Sequence, residues 1–368
     1  MVRLTRAEQQ IRTRRKVLEA AKAEFTARGF RGATVDGIAE RADLTRGAVY
    51  SNFPGKRALY LSVLAHEAEH APPPAGRKPA RTLPAALESF AGTWMQRIPR
   101  STSYDSGGSA QLQSPNLSID FIPEITSDER LRRPFTQLLA FDAILLGRAM
   151  QSLEGRSEPS TLPSYVATAE SILTILYGAT QLSFAAPEFV NAAHVMALCG
   201  KVATLDEPPE VDPAPRPGGR GARAVVEAWI APECVDLLHN RPARFGARQL
   251  IAVLGIDKLA TIADALVVLP AQFPVTVVIG TADPAETAPL ARLAVADVSR
   301  SLRHAFPAAA LANLQVVVDD SGVAVACGVP AVDDGSEAAL LVARDHVVTR
   351  AEGRAAAAAV AARANSVS

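Results

Sequence analysis

The chain of 368 residues is 48% hydrophobic, and its 38 Lys and Arg balance 38 Asp and Glu. This length accommodates two or three packed domains. The sequence contains no run of about 18 apolar residues, which a membrane helix would need. The charge is unevenly distributed, because residues 1–66 hold 13 Lys and Arg against 6 Asp and Glu, whereas the remainder has a net charge of −7. A basic head on an acidic body is typical of a protein that binds nucleic acid through one end.

The cysteines and the amino terminus predict the compartment. Cys199, Cys234 and Cys327 are odd in number, far apart in the chain and without metal-ligand spacing. They indicate free thiols in a reducing environment. The amino terminus is charged within its first six residues and lacks the apolar run of a signal peptide. We therefore expect a cytoplasmic protein.

The first predicted helix covers residues 7–27, where Ile11, Leu18 and Phe25 recur at helical spacing. Gly29 follows at the position where glycine commonly ends a helix. Near the start of this helix lie four basic residues, Arg12, Arg14, Arg15 and Lys16. They could form a solvated face or lie along a phosphate backbone, and the motif that follows favours the second interpretation.

Residues 34–59 contain two short predicted helices that are separated by a tight turn. Thr34 and Thr45 occupy N-cap positions, where a hydroxyl accepts hydrogen bonds from unpaired amides. In the second helix Val49 and Phe53 lie four residues apart and point together into a core. The opposite face of that helix carries Arg46, Gly47, Tyr50 and Ser51. A helix-turn-helix presents such a polar helix tip to a DNA groove.

This stretch resembles the TetR family of bacterial transcriptional regulators. The resemblance runs from about Glu8 to Leu64. It is carried by residues in the family spacing, namely Ile38, Ala39, Ala42, Gly47, Tyr50, Phe53, Lys56 and Leu59. One position departs from the family, since the turn carries Asp43 where glycine is usual. Asp tolerates a left-handed backbone, so we expect the turn to be kept.

The resemblance implies a mainly α architecture, with a three-helix helix-turn-helix DNA-binding domain (residues 1–54) and a helical ligand-binding and dimerisation domain (residues 55–205). It also implies a homodimer that represses transcription at a palindromic operator in double-stranded DNA. A small-molecule effector would release this homodimer from the operator. Within the recognition helix, Arg46 is the side chain able to make a bidentate contact with guanine. The other residues expected at the DNA are Thr34, Thr45, Gly47, Tyr50, Ser51 and Lys56.

The middle of the chain predicts a helical bundle. Apolar residues recur at helical spacing in residues 84–98, 128–153, 163–184 and 188–202. On the family pattern, residues 128–153 and 163–184 form the dimer contact. Aromatic residues spread over these segments are either core filling or the lining of an effector pocket. They are Trp94, Tyr104, Phe121, Phe135, Phe141, Tyr165 and Tyr177.

The composition changes at residues 206–223, where five prolines precede three glycines. This segment predicts a linker, because it cannot bury a core. Residues 224–368 then predict a smaller α/β domain of unknown role, with a strand at residues 275–280 and helices at residues 285–306 and 350–364. Residues 315–327 predict a β-hairpin with a four-residue loop.

Residues 66–70 read His-Glu-Ala-Glu-His, the spacing of a helical zinc site. A hydrolase also requires a third ligand and a buried catalytic core. Here the helix is broken at Pro72, and no histidine lies nearby. The sequence therefore favours a solvated helix end over a metal-dependent hydrolase, and predicts no enzyme, no cofactor and no metal. A further alternative is a DNA-bound protein that recruits a partner through the α/β domain and needs no effector.

Overall fold

The computed structural model describes residues 5–72, 76, 79–97, 122–155, 161–186, 188–205, 221–320 and 322–366. Its amino-terminal and middle parts are helical, and its carboxy-terminal part combines a six-stranded sheet with helices. The predicted fold class is confirmed. Among the helices of these ranges, none combines the length and apolar character that crossing a bilayer requires.

Three helices form the head: α1 (Arg6–Gly32), α2 (Val35–Arg41) and α3 (Arg46–Asn52). Gly29 adopts φ 65° and interrupts α1, which then continues for one more turn to Gly32, beyond the predicted end of the helix. The hydroxyl of Thr34 accepts the Gly37 amide at 3.1 Å and caps α2. That of Thr45 accepts the Ala48 amide at 3.2 Å and caps α3. Both predicted N-caps are therefore present.

The turn between α2 and α3 keeps its shape without the usual glycine. Asp43 adopts φ 49°, in the left-handed region, as expected for this residue type. The amide of Asp43 donates to the Glu40 carbonyl at 3.0 Å, and that of Leu44 donates to the Ala39 carbonyl at 3.0 Å. These bonds fix the angle between the two helices.

The helical body follows the head. Its helices are α4 (Lys56–His70), α5 (Leu83–Met95), α6 (Ile122–Ser127), α7 (Glu129–Leu153), α8 (Leu162–Ala185) and α9 (Ala192–Val202). The second half of α7 is its centre, because every residue from 141 to 151 is buried. In contrast, α8 and α9 expose much of their surface. Gly55 is the N-cap residue of α4.

The carboxy-terminal part contains the strands β1 (Arg223–Ala228), β2 (Val235–Asp236), β3 (Arg241–Pro242), β4 (Arg248–Gly255), β5 (Val275–Gly280), β6 (Leu314–Val318), β7 (Glu337–Ala343) and β8 (His346–Glu352). Its α-helices are α10 (Ile262–Val268), α11 (Thr287–Ala305), α12 (Val323–Ala326) and α13 (Ala356–Ser366). The large sheet has the order β1-β8-β7-β4-β5-β6. Strands β4, β5 and β6 are parallel, and the other pairs are antiparallel.

The hairpin predicted at residues 315–327 is wrong. Strand β6 pairs in parallel with β5, and the residues that follow it form the short helix α12. Gly322 adopts φ 75° and opens that helix. A short alternation of valine and alanine is compatible with a strand or a buried helical turn, so tertiary packing decided its structure. The helix predicted from residue 350 begins at Ala356, since strand β8 extends to Glu352.

Helix α11 joins the sheet to the helical body. It packs against α4, α5 and α7 and also contacts β6. Most of its residues are buried, and the apolar cluster that they enter is continuous from the head to the sheet. The α/β part is thus packed directly on the helix that follows the head.

Candidate nucleic-acid interface

The polar tip predicted from the sequence lies on the surface of the head. The side chains of Thr34, Thr45, Arg46, Tyr50 and Ser51 are exposed, as is the backbone at Gly47. Behind this tip, buried apolar side chains hold α3 against the other two helices. They are Ile38, Ala42, Val49 and Phe53. The tip is therefore polar outside and rigidly packed inside, which is what groove recognition requires.

Arg46 makes only weak contacts within the head. Its Nη1 lies 3.5 Å from Asp36 Oδ2, and its Nη2 donates to the Tyr50 hydroxyl at 3.4 Å. The hydrogen bond to Tyr50 and the charge of Asp36 raise the pKa of Arg46, so the side chain stays cationic. Exposed ion pairs of this kind contribute little to stability. The guanidinium can therefore leave these partners for a base edge or a phosphate at small cost.

Gly47 is not required by the packing of the head. A Cβ atom at this position would meet nothing closer than Thr45 Oγ1 at 3.9 Å. A helix-interior glycine costs about 1 kcal/mol relative to alanine. The second glycine of the motif differs, because a Cβ at Gly37 would lie 2.7 Å from Glu24 Oε1. The fold explains Gly37, whereas Gly47 leaves open space on the outside of the head.

Lys56 differs from the rest of the predicted set. It is half-buried, and its Nζ donates to the carbonyls of Ala33 at 3.1 Å and Arg31 at 3.4 Å. The ammonium also lies 4.8 Å from the centre of the Phe30 ring. In this structure Lys56 therefore connects the start of α4 to the end of α1, and its contact with phosphate stays a prediction.

Two residues that hold the head together were not identified from the sequence. Arg14, in the basic cluster of α1, donates to the Asn52 carbonyl at 2.9 Å, and its guanidinium lies 4.2 Å from the centre of the Phe53 ring. Buried Glu24 accepts Arg41 Nε at 2.7 Å and thereby links α1 to α2. The only available signal was that both residues lie on a helix beside the motif.

Helix α4 follows the head directly and is called the connector. It is bound at both ends to the region around α11. Arg57 Nε donates to Glu286 Oε2 at 2.9 Å, and its Nη1 donates to Asp128 Oδ2 at 3.0 Å. At the other end Arg292 Nη1 donates to Glu69 Oε1 at 3.0 Å. These three acceptors are largely shielded from solvent, which strengthens the ion pairs relative to exposed ones.

The histidine motif at residues 66–70 lies on this connector. Glu67 pairs with Lys22 at 2.5 Å, and Glu69 pairs with Arg292. The rings of His66 and His70 are 4.1 Å apart, and His70 Nδ1 lies 2.8 Å from the His66 carbonyl oxygen. Within the described ranges, no group of three or more His, Cys, Asp or Glu residues is placed to hold a metal ion. Both glutamates thus have structural partners.

The aromatic residues of the body do not form one lining. The Tyr177 ring lies 5.1 Å from that of Trp94 and 6.2 Å from that of Phe135, so these three are neighbours. Phe141 is fully buried in α7, and the Tyr165 hydroxyl donates to Glu154. Tyr104 and Phe121 lie outside the described residues.

Comparisons with known proteins agree with the geometry of the head. Residues 17–63 match the family model described as bacterial regulatory proteins, tetR family. The chain is 46% identical over 65 residues to the HTH-type transcriptional regulator SrpR of Pseudomonas putida, which is 18% of this chain and 30% of that protein. It is equally similar over 65 residues to the uncharacterized HTH-type transcriptional regulator TtgW of Pseudomonas putida, covering 18% of this chain and 48% of that protein. Similarity to the HTH-type transcriptional regulator TtgR of the same species is 44% over 64 residues, or 17% of this chain and 30% of that protein. The chain thus spans less than half the length of these relatives.

Proposed function

We propose that this chain, whose residues 17–63 match the TetR family of bacterial regulatory proteins, is a repressor that leaves a palindromic operator when a small molecule binds. The observation that carries the proposal is the exposed tip of α3. There Arg46 is held only by weak contacts beside a glycine that the fold does not require. A tip of this kind is suited to close approach to DNA.

In the proposed complex, Arg46 reads a guanine edge through two hydrogen bonds. Gly47 allows the backbone to approach the DNA, and the hydroxyls of Thr34, Tyr50 and Ser51 donate to phosphates. The Thr45 hydroxyl caps α3 and keeps its amino-terminal end directed at the DNA. Two copies of α3 about 34–36 Å apart would enter successive major grooves, which is why the operator is expected to be palindromic.

We place the dimer contact on α8 and α9. The sequence had suggested α7 and α8, but the second half of α7 is enclosed by its neighbours within one chain. Large apolar side chains are exposed on α8, on α9 and immediately after each of them, where water contact is unfavourable. They are Leu182, Phe189, Leu198 and Leu205.

We also propose the domain division 1–54, 55–205, 206–223 and 224–368 as functional units. The helical unit would bind the effector, and α4 would pass the change to the head. A ligand can do this only if its affinity differs between the DNA-binding conformation and the released one. The α/β unit contacts α4 through α11, so it could influence the same change in the position of α4.

The test of DNA recognition is Arg46→Ala, measured by footprinting and by titration of operator and random duplexes. We expect the operator affinity to fall by about 1–3 kcal/mol, with relaxed preference at one base pair. Arg132→Ala is the matched control, because Arg132 is an exposed arginine on α7 and does not belong to the head. An equal loss of affinity for random DNA would contradict the base-reading role of Arg46. A chain that does not bind duplex DNA at low salt would contradict the proposed function.

A further inference from the structure

A cluster of buried charged side chains lies where α11 meets the helical body. Arg97 follows α5, Asp142 belongs to α7 and Asp297 belongs to α11. Their exposed fractions are only 6%, 2% and 8%. Charged groups are removed from water in this way only if partners replace the lost hydration.

The partners are incomplete. Arg97 Nη1 lies 2.5 Å from Asp297 Oδ1, which is a short ionic contact. In the described part of the chain, the other two guanidinium nitrogens of Arg97 make no hydrogen bond, and neither does Asp142 Oδ1. Ser301, one turn beyond Asp297 on the same face of α11, also has a buried hydroxyl without one. Each such group costs about 1–3 kcal/mol, and more if it is charged.

An aromatic wall adjoins this polar centre. The Arg97 guanidinium lies 4.4 Å from the centre of the Trp94 ring, and Tyr177 meets that ring edge-on at 5.1 Å. Trp94 is fixed by its own hydrogen bond, since its Nε1 donates to Thr180 Oγ1 at 3.1 Å. The Phe135 ring lies 6.2 Å from that of Tyr177. A few convergent polar groups beside apolar rings are the usual composition of a small-molecule site.

The unsatisfied groups are mostly donors. Burial and the nearby charge of Asp297 raise the pKa of Asp142 well above its ordinary value, which favours the neutral carboxyl. Arg300 adds a second cation close to Arg97 and Asp297. A neutral carboxyl, a hydroxyl and guanidinium N–H groups all require an acceptor. The group that best satisfies an arginine is a planar carboxylate, which can accept two parallel hydrogen bonds.

We propose that Arg97, Asp142 and Asp297 form the binding site of a small organic carboxylate, whose apolar part lies against Trp94, Phe135 and Tyr177. The carboxylate takes the hydrogen bonds of Arg97, and Asp297 yields part of its contact with that side chain. The site is shared between the helical body and the α/β part, because α11 supplies Asp297. Its role as the effector site rests on the proposed function, but binding itself does not.

Helix α11 also links the proposed ligand site to the head. The residue before α11, Glu286, holds Arg57 at the start of α4, and Arg292 holds Glu69 near its end. A ligand that changes the contact between Arg97 and Asp297 therefore acts on a helix that is bound to both ends of the connector. This gives the α/β part a function, namely to link the occupied site to the spacing of the heads.

The test compares two probes that share a phenylpropyl frame and differ in charge, 3-phenylpropionate and 3-phenylpropylamine. The chain has two tryptophans, and the Trp229→Phe variant leaves Trp94 as the only indole, so its fluorescence reports the site directly. We expect a saturable change with the carboxylate, and affinity at least about tenfold weaker for the amine. The carboxylate should also raise the melting temperature of the full chain, because it binds the folded state.

Two further variants test the residues. Arg97→Gln should weaken the carboxylate at least about tenfold, whereas Asp297→Asn should tighten its binding, because Arg97 loses its competing partner. Arg132→Gln is the control and should leave binding unchanged. Circular dichroism establishes whether each variant is folded. If Arg97→Gln does not fold, Asp297→Asn still tests the proposal.

The proposal is overturned if neither probe gives a saturable change, if the amine binds as well as the carboxylate, or if Asp297→Asn leaves affinity unaltered. A crystal structure grown with the carboxylate, in which only water satisfies Arg97, would overturn it as well. Failure of the proposed function is distinguishable, since operator binding is measured without the carboxylate and carboxylate binding without DNA.

Discussion

The tip of α3 and the buried cluster around Arg97 use arginine in opposite settings. The Arg46 side chain is 61% exposed, and its partners Asp36 and Tyr50 are exposed as well. Water can replace those partners, so Arg46 is free to exchange them for DNA at little cost. Arg97 has no such reserve, because its side chain is 6% exposed and must find its partners inside the protein. An exposed cation can therefore exchange its partners at a surface, whereas a buried and incompletely paired cation can be satisfied only by a group that lies inside the protein.

The largest expected effect is on stability, and it tests whether Phe141 belongs to the apolar core or to a ligand site. Phe141 was a candidate for the ligand pocket, but it is fully buried in α7. Phe141→Ala should therefore reduce the free energy of unfolding by about 3–5 kcal/mol in urea titration. Tyr165→Phe is the control, because the Tyr165 hydroxyl bonds to Glu154 in an exposed setting, and its loss should cost little. A loss below about 1 kcal/mol for Phe141→Ala would show that this ring borders a cavity.

A second test concerns the charge of the buried cluster. Burial first, and Asp297 second, raise the pKa of Asp142 in the folded state, while Arg97 opposes the shift. The folded protein therefore retains a proton that the unfolded chain has lost, so this contribution to stability is full below about pH 4 and is lost as the pH rises. Asp142→Asn should reduce that decline without abolishing it, because burial also raises the pKa of Asp297. The difference between the two proteins at neutral pH is expected to be of order 1–3 kcal/mol. Unfolding free energies at about pH 4 and about pH 7 provide the measurement. Parallel decline in both proteins would exclude Asp142 as its source.

The smallest expected effect on stability concerns Gly47. Because a Cβ there meets only open space, Gly47→Ala should stabilise the head by up to about 1 kcal/mol through helix propensity. The same methyl should weaken operator binding, since in the proposed complex it would lie between α3 and the DNA. Gly37→Ala is the matched control, as its Cβ would press on Glu24 and gain no such stability. Unchanged operator affinity for Gly47→Ala would place the DNA elsewhere.

Much of the head could be predicted from the sequence because its determinants are local. N-caps, the spacing of Val49 and Phe53 and the left-handed tolerance of Asp43 each depend on a few neighbouring residues. The longer helices of the body were also predictable from their apolar periodicity, apart from their ends, whereas the short helix α6 was not predicted. The likeness of this head to known regulators extends the same local pattern across residues 17–63.

Only the tertiary structure decided how distant segments share their charges and surfaces. It paired Lys56 and Arg14 with backbone carbonyls of the head, enclosed the second half of α7 and turned residues 323–326 into a helix. It also brought Arg97 and Asp297 together across 200 positions of the chain. A local pattern can specify a turn or a cap, but burial and ion pairing depend on which surfaces meet, and that is settled when the whole core forms.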